Sequence, residues 1–329
     1  MHRIAILFLF VLFFKPALAQ NNIEVKDYLN QALDIMKAQS INKHKLDWEK
    51  IYNFAHEQAK DLDSIKQTYA VIDSTLKMLA DQHSHFYPPE MVEGIFKGYL
   101  ANGEQLPLVK TAIIEKSYAY VTVPHFYFAN EEEWEQFITD AYHKIREMDK
   151  VVLKGWVLDL RDNDGGMLQP MIGMVAPFIH DEDAFGIKKP EGTVSYYRYR
   201  NNAAYYGDSL VYQYKTPLIQ LKNFDKPLVV LINKRTGSSG EFIAMAFKDR
   251  KKTQLIGQKT TGLTSSNSEF KLSDGAYLVL TNGTLTDRNG QPYDEVGKGI
   301  SPDHVVEKEI VDQEECIHQA IKVLKQMAQ

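Results

Sequence analysis

Residues 228–242 read LVVLINKRTGSSGEF. The run Leu228 to Ile232 marks a buried strand, and the small residues from Thr236 to Gly240 mark a turn. A helix is expected from Phe242 to Lys248. A strand that passes through a tight turn directly into a helix belongs to an α/β core. Such a junction suits chemistry in two ways. The turn lifts a serine hydroxyl, here Ser238, to the mouth of the sheet. The helix N-terminus then offers unpaired N–H groups and a positive dipole end to an oxyanion. The plain alternative is that Ser238 caps the helix and Glu241, three residues on, completes a capping box. The G-x-S-x-G elbow itself is absent.

The flanking segments support the same fold class. Ala112–Ile114 and Tyr118–Val123 read as paired strands, and Gly155–Leu160 (GWVLDL) as another. Glu131 to Met148 carries Trp134, Phe137, Ile138, Ala141 and Ile145 at helical spacing, with three glutamates at its positive end. Met167–Ile179 is expected to be an apolar helix despite Pro170. The tyrosine-rich stretch 193–214 suggests a hairpin. Leu255-Ile256, Glu269–Leu272 and Ala276–Leu280 complete the strands, and Glu314–Met327 a closing helix. Residues 23–100 instead show only helical faces and no strand alternation. The chain therefore divides into a helical domain, 20–105, and an α/β core, 106–329.

Residues 1–19 (MHRIAILFLFVLFFKPALA) have a basic start, an 11-residue apolar run and Ala17-Leu18-Ala19. This predicts a secretory signal cleaved before Gln20. The run is shorter than the roughly 20 residues a spanning helix needs. An exported protein, periplasmic or secreted and without membrane insertion after cleavage, is expected. Cleavage would leave 310 residues with 36 basic and 43 acidic side chains. A net negative charge argues against a general nucleic-acid binder. The single cysteine, Cys316, excludes an internal disulfide framework and a multi-cysteine metal site; expected to face the core from a C-terminal helix, it also removes the thiol-hydrolase option.

Three further loops stand out. Asp159-Leu160-Arg161-Asp162-Asn163-Asp164-Gly165-Gly166 follows the GWVLDL strand, and its two glycines allow close approach of backbone N–H groups to a ligand. The others are Gly257–Ser265 and Lys298-Gly299-Ile300-Ser301-Pro302-Asp303. Taken in order, these segments and the Ser238 turn resemble the tail-specific or C-terminal-processing serine peptidases, over roughly residues 111–310. The resemblance implies a Clp- and crotonase-like α/β core, hydrolysis of peptide bonds in proteins or peptides, and no metal or cofactor.

The same resemblance assigns roles. Ser238, three residues before Glu241, falls at the nucleophile, with Ser239 its neighbour. Where one branch carries a lysine base, this chain has Leu263, and Lys259 lies four residues too early. Leu79-Ala80-Asp81-Gln82-His83-Ser84 instead matches the histidine motif of the branch that includes the tricorn core and the interphotoreceptor retinoid-binding modules, which makes His83 the base. Glu295 falls at the orienting acid, with Asp294 as the alternative. The oxyanion hole falls to the N–H groups of Ser239 and of Gly165 or Gly166. The interval from Pro88 to Lys110 is too short for a PDZ domain. A second reading is a non-proteolytic binder of an apolar molecule on this scaffold, with the tyrosine stretch lining a cleft. A crotonase-like acyl transferase shares the core topology but fits neither export nor the Ser238 turn.

Overall fold

Three helices come first: α1 (Ala17–Gln39), α2 (Trp48–Ala59) and α3 (Ile65–Leu76). The structure, a computed structural model, describes residues 17–179, 183–295, 297–306 and 313–328. The expected export signal therefore lies outside the described residues, apart from Ala17–Ala19, which open α1. A short strand, β1 (His85–Tyr87), and helix α4 (Pro89–Lys97) lead to a hairpin of β2 (Thr111–Ile114) and β3 (Tyr118–Thr122). Helix α5 (Glu131–Met148), strand β4 (Gly155–Asp159) and helix α6 (Leu168–Ile179) follow. Next comes a meander: β5 (Asp183–Lys188), β6 (Val194–Arg200), β7 (Ala203–Tyr206) and β8 (Ser209–Gln213). The chain ends with β9 (Leu228–Ile232), α7 (Ser239–Phe247), β10 (Thr253–Gly257), β11 (Ser265–Lys271), β12 (Tyr277–Thr286), β13 (His304–Val305) and α8 (Gln313–Met327).

The strands form two sheets, so the fold is α/β with helices on the sheet faces. One sheet has six strands in the order β13-β10-β9-β4-β3-β2, and only β2 runs antiparallel to its neighbour. Every residue of β4 and β9 is buried, as expected of parallel strands covered on both faces. Helix α8 covers one face through Ile321 and Leu324, and Cys316 is buried there. Helices α5, α6 and α7 cover the other. Asn130 starts α5 by accepting the N–H groups of Glu132 and Glu133 at 3.1 Å each, as an N-cap should.

The second sheet is antiparallel, in the order β1-β12-β5-β6-β7-β8, with β11 on the other side of β12. Here two expectations need correction, and one strand was not expected. The helical stretch 23–100 does contain a strand: β1 pairs with β12, His85 opposite Val279. Strand β5, unmarked in the sequence, holds the meander to β12. The tyrosine stretch is neither a simple hairpin nor the wall of an open cleft. It supplies three strands, and Tyr197, Tyr199, Tyr212 and Tyr214 are buried in the main core.

The helices α1 to α3 do not close their own core. Leu29, Leu33, Met36, Ile51, Ile72 and Leu79 pack against Leu272, Ala276, Leu278 and Leu280 from β12 and the turn before it. This seats the end of α3, and the loop beyond it, on the second sheet. Among the described residues no helix is long and apolar enough to cross a membrane.

Candidate active site

In an open parallel sheet, ligands meet the loops at the carboxyl ends of the strands. Three such loops converge here. The loop after β4 is anchored by Asp159, which receives Arg161 Nε and Nη2 (the latter at 2.6 Å) and the Tyr120 hydroxyl at 2.7 Å. Its Asn163 carbonyl accepts the Gly237 N–H at 3.0 Å, tying it to the loop after β9. Gly165 lies so close that a Cβ there would sit 2.7 Å from Ser238 Cβ. The loop after β10 joins through Glu241, which is fully buried at the start of α7.

Glu241 works as a clamp. One carboxylate oxygen accepts the Ser238 N–H at 3.2 Å. The other accepts the Gly262 N–H at 2.9 Å and the Thr260 hydroxyl. Thr260 Oγ1 in turn accepts the Ile300 N–H at 2.7 Å, which brings in the last of the four sequence segments. Burial pushes the Glu241 carboxyl above its usual pKa, against the pull of these donors. Glu241→Gln turns one acceptor oxygen into a donor that faces other donors. A loss of about 1–3 kcal/mol of stability is expected from the groups left unpaired. Urea unfolding of the variant beside the parent measures it, and unchanged stability would contradict the clamp.

Ser238 is not an ordinary cap. Its backbone has φ 49° and ψ −123°, far from the extended geometry of an N-cap and in a region that costs a serine energy. Ser238 still forms the capping box with Glu241, its side chain facing the backbone of the third helical residue and its N–H held by the Glu241 carboxylate. Ser238 Oγ lies 3.0 Å from His83 Nε2.

His83 reaches this point from the loop after α3. Ala80 takes a left-handed conformation (φ 54°) and ends the preceding 3-10 turn. Asp81 then folds the loop, accepting the N–H groups of His83 at 3.1 Å and Ser84 at 2.8 Å. Its carboxylate also receives the Ser84 and Thr281 hydroxyls, which fastens the loop to β12. His83 is buried, and burial with the nearby His85 holds its pKa below the ordinary imidazole value. The Ser265 backbone and Asp81 pull weakly the other way. A neutral imidazole against a hydroxyl is the arrangement a general base needs.

Ser239 is turned differently. Its hydroxyl donates to the Gly166 carbonyl at 2.7 Å, away from His83. Of the two glycines, Gly165 gives its N–H to Asn163 Oδ1 at 3.0 Å, so that donor is already engaged. Among the described residues no partner is found for the N–H of Gly166 or of Ser239. The latter belongs to the first turn of α7, where helix geometry leaves N–H groups open.

Glu295 is not brought to the imidazole. It is exposed and pairs with Lys298, three residues on in the same turn. Asp294 is exposed as well and lies 3.6 Å from Lys188. The turn is held elsewhere, since Gly297 donates to the Gly262 carbonyl at 2.8 Å. Val296 lies outside the described residues. His83 Nδ1 faces Ser265 Oγ at 3.0 Å instead, a residue the sequence did not single out.

A family model described as peptidase family S41 matches residues 117–306. That is more than half of the sequence.

The chain belongs to peptidase family S41.

Individual relatives agree. A carboxyl-terminal-processing protease of Synechocystis is 31% identical over 180 residues, 54% of this chain and 37% of that protein. The chain thus spans well under half the length of that relative. A nisin-resistance protein of Lactococcus lactis is 25% identical over 279 residues, 84% of this chain and 81% of that protein. Among solved structures, a lipoprotein from Streptococcus agalactiae superposes with a TM-score of 0.74 at 20% identity, covering 97% of this S41 chain and all (100%) of the other. The photosystem II D1 C-terminal processing protease gives 0.62 at 17% identity, over 90% and 96% of the two chains. At these identities the superpositions speak for the fold.

Proposed function

We propose that this S41 chain is an exported serine-type endopeptidase that cleaves proteins or peptides with Ser238 as nucleophile and His83 as base. The approach of His83 Nε2 to Ser238 Oγ, 3.0 Å, carries the reading. The hydroxyl proton passes to Nε2 as Oγ attacks the scissile carbonyl, and later goes to the leaving amine. The N–H groups of Ser239 and Gly166 then receive the oxyanion at the start of α7. Leu263, where a lysine base would stand, is consistent with a histidine base. The division into a helical part, 20–105, and a catalytic core, 106–329, belongs to this reading, because the base and the nucleophile then come from different parts.

Export rests on the signal-like residues 1–19, and it accords with the description of one structural neighbour as a lipoprotein. The binder alternative gains nothing from the tyrosine stretch, whose rings are largely buried.

A fluorophosphonate probe tests the nucleophile directly. Mass mapping of the labelled protein is expected to find the adduct on Ser238, with Ser239→Ala labelled as fast as the parent to within about tenfold. An adduct on Ser239, or none on either serine, would overturn the assignment.

A further inference from the structure

The proposed base must present an unprotonated Nε2 to Ser238, so its ring proton sits on Nδ1. That nitrogen needs an acceptor to hold the tautomer and the ring angle. Among the described residues the side chain placed to serve is Ser265, 3.0 Å away and 1% exposed, beside its own backbone, which also favours the protonated ring.

The strand that carries Ser265 holds the histidine at a second point. Asn267, two residues along β11, donates from Nδ2 to the His83 carbonyl at 2.9 Å. Side chains two apart share a face of a strand, so one face of β11 addresses both the ring and the backbone of His83. The other face behaves differently. Ser266 Oγ lies 3.4 Å from Asn282 Oδ1, and Ser268 accepts from Asn282 Nδ2. The register between β11 and β12 shifts between Ser266 and Asn267, where Asn282 has no opposite number. The bulge leaves Asn282 to the Ser266 and Ser268 face and keeps Ser265 and Asn267 on the histidine.

Resting on the catalytic reading above, we propose that Ser265 is the positioning residue of His83, a hydroxyl acceptor that fixes the Nδ1–H tautomer in the place a carboxylate would otherwise take. A hydroxyl brings no negative charge to the ring. It orients the imidazole without strongly favouring imidazolium, in keeping with a buried histidine. The titratable groups that act on His83 are then His85, which disfavours the charged ring, and Asp81, which favours it weakly from the loop.

The test is the rate of fluorophosphonate labelling of the full chain, followed from acid to neutral pH, in Ser265→Ala and Ser265→Thr. The alanine variant loses one hydrogen bond to the ring, so labelling is expected to slow about tenfold at neutral pH. The acid limb of its profile is expected to move to lower pH, because the imidazolium loses an acceptor too. Threonine restores the hydroxyl on a residue suited to strands and is expected to recover most of the rate and the parent limb. A residue that only fills space would leave the limb in place. Labelling lost in Ser238→Ala and slowed in His83→Ala, yet unchanged in rate and limb in Ser265→Ala, overturns this proposal and leaves the pair standing. Labelling of the same site without Ser238 or without need of His83 overturns the catalytic reading itself.

Discussion

Ser238→Ala is expected to abolish peptide hydrolysis, by a factor on the order of 10⁴ or more, without unfolding the chain. Among the described residues the side-chain partner of the hydroxyl is His83 Nε2, while the Ser238 backbone is held independently through Glu241. His83→Ala removes the proton acceptor and is expected to cost roughly 10²–10⁴-fold, the usual contribution of a general base. The two losses should not add in the double variant, because each disables the same step. Turnover of a mixed peptide library, read by mass spectrometry, measures all three variants. The pH profile of the parent adds a sign. A base must be neutral, and burial keeps His83 neutral below the pH of about 6.5 at which a free imidazole is half charged. The rate should therefore hold below that pH and fall only on further acidification. A rate that already declines above pH ~7 would contradict the assigned base.

Gly166→Ala is expected to lower activity by about 10²-fold or more, the size seen when one oxyanion donor is lost. The cause is steric and sits in the backbone. A Cβ at Gly166 would lie 2.2 Å from the Phe126 carbonyl oxygen and 2.7 Å from its carbon. Phe126 cannot step aside cheaply, since its N–H donates to Gly165 at 3.2 Å and its carbonyl accepts from Met167 at 2.5 Å. The loop must shift and carry the Gly166 N–H with it. Gly275→Ala is the control. Gly275 has a similar φ of 95° against 101° at Gly166, but nothing lies within 4 Å of its Cβ. Both variants bear the backbone cost, and only the first should lose activity beyond its loss of stability. Equal losses in the two would remove the loop from the mechanism.

Strands β4 and β9 were legible in the sequence because each is a short apolar run that ends at a glycine-bearing turn. The catalytic candidates were legible because a tight strand-turn-helix junction leaves a recognisable string of small residues, and because the loop before His83 has its own spacing. Strand β1 was not legible. Three residues are too few to show alternation, and its partner β12 lies about 190 residues downstream. The meander held a readable clue in Asn201-Asn202 and Gly207, which take positive φ at its last two turns. Ser265 had none. It begins a strand that also contains Ser266 and Ser268, and which of the three meets a histidine depends on a bulge in the neighbouring strand. Glu295 failed for a related reason, since its place is set by a turn tied to Gly262 and not by its distance along the chain from His83.

The seating of the α3 loop on β12 has a consequence for the life of the chain. A nascent polypeptide grown as far as residue 260 already contains both Ser238 and His83. It lacks the strands that hold the histidine loop, β11 and β12. On the proposed reading such a chain would be unarmed, since loop closure across 155 residues must wait for its landing surface. Competence to cut would then arrive late in synthesis.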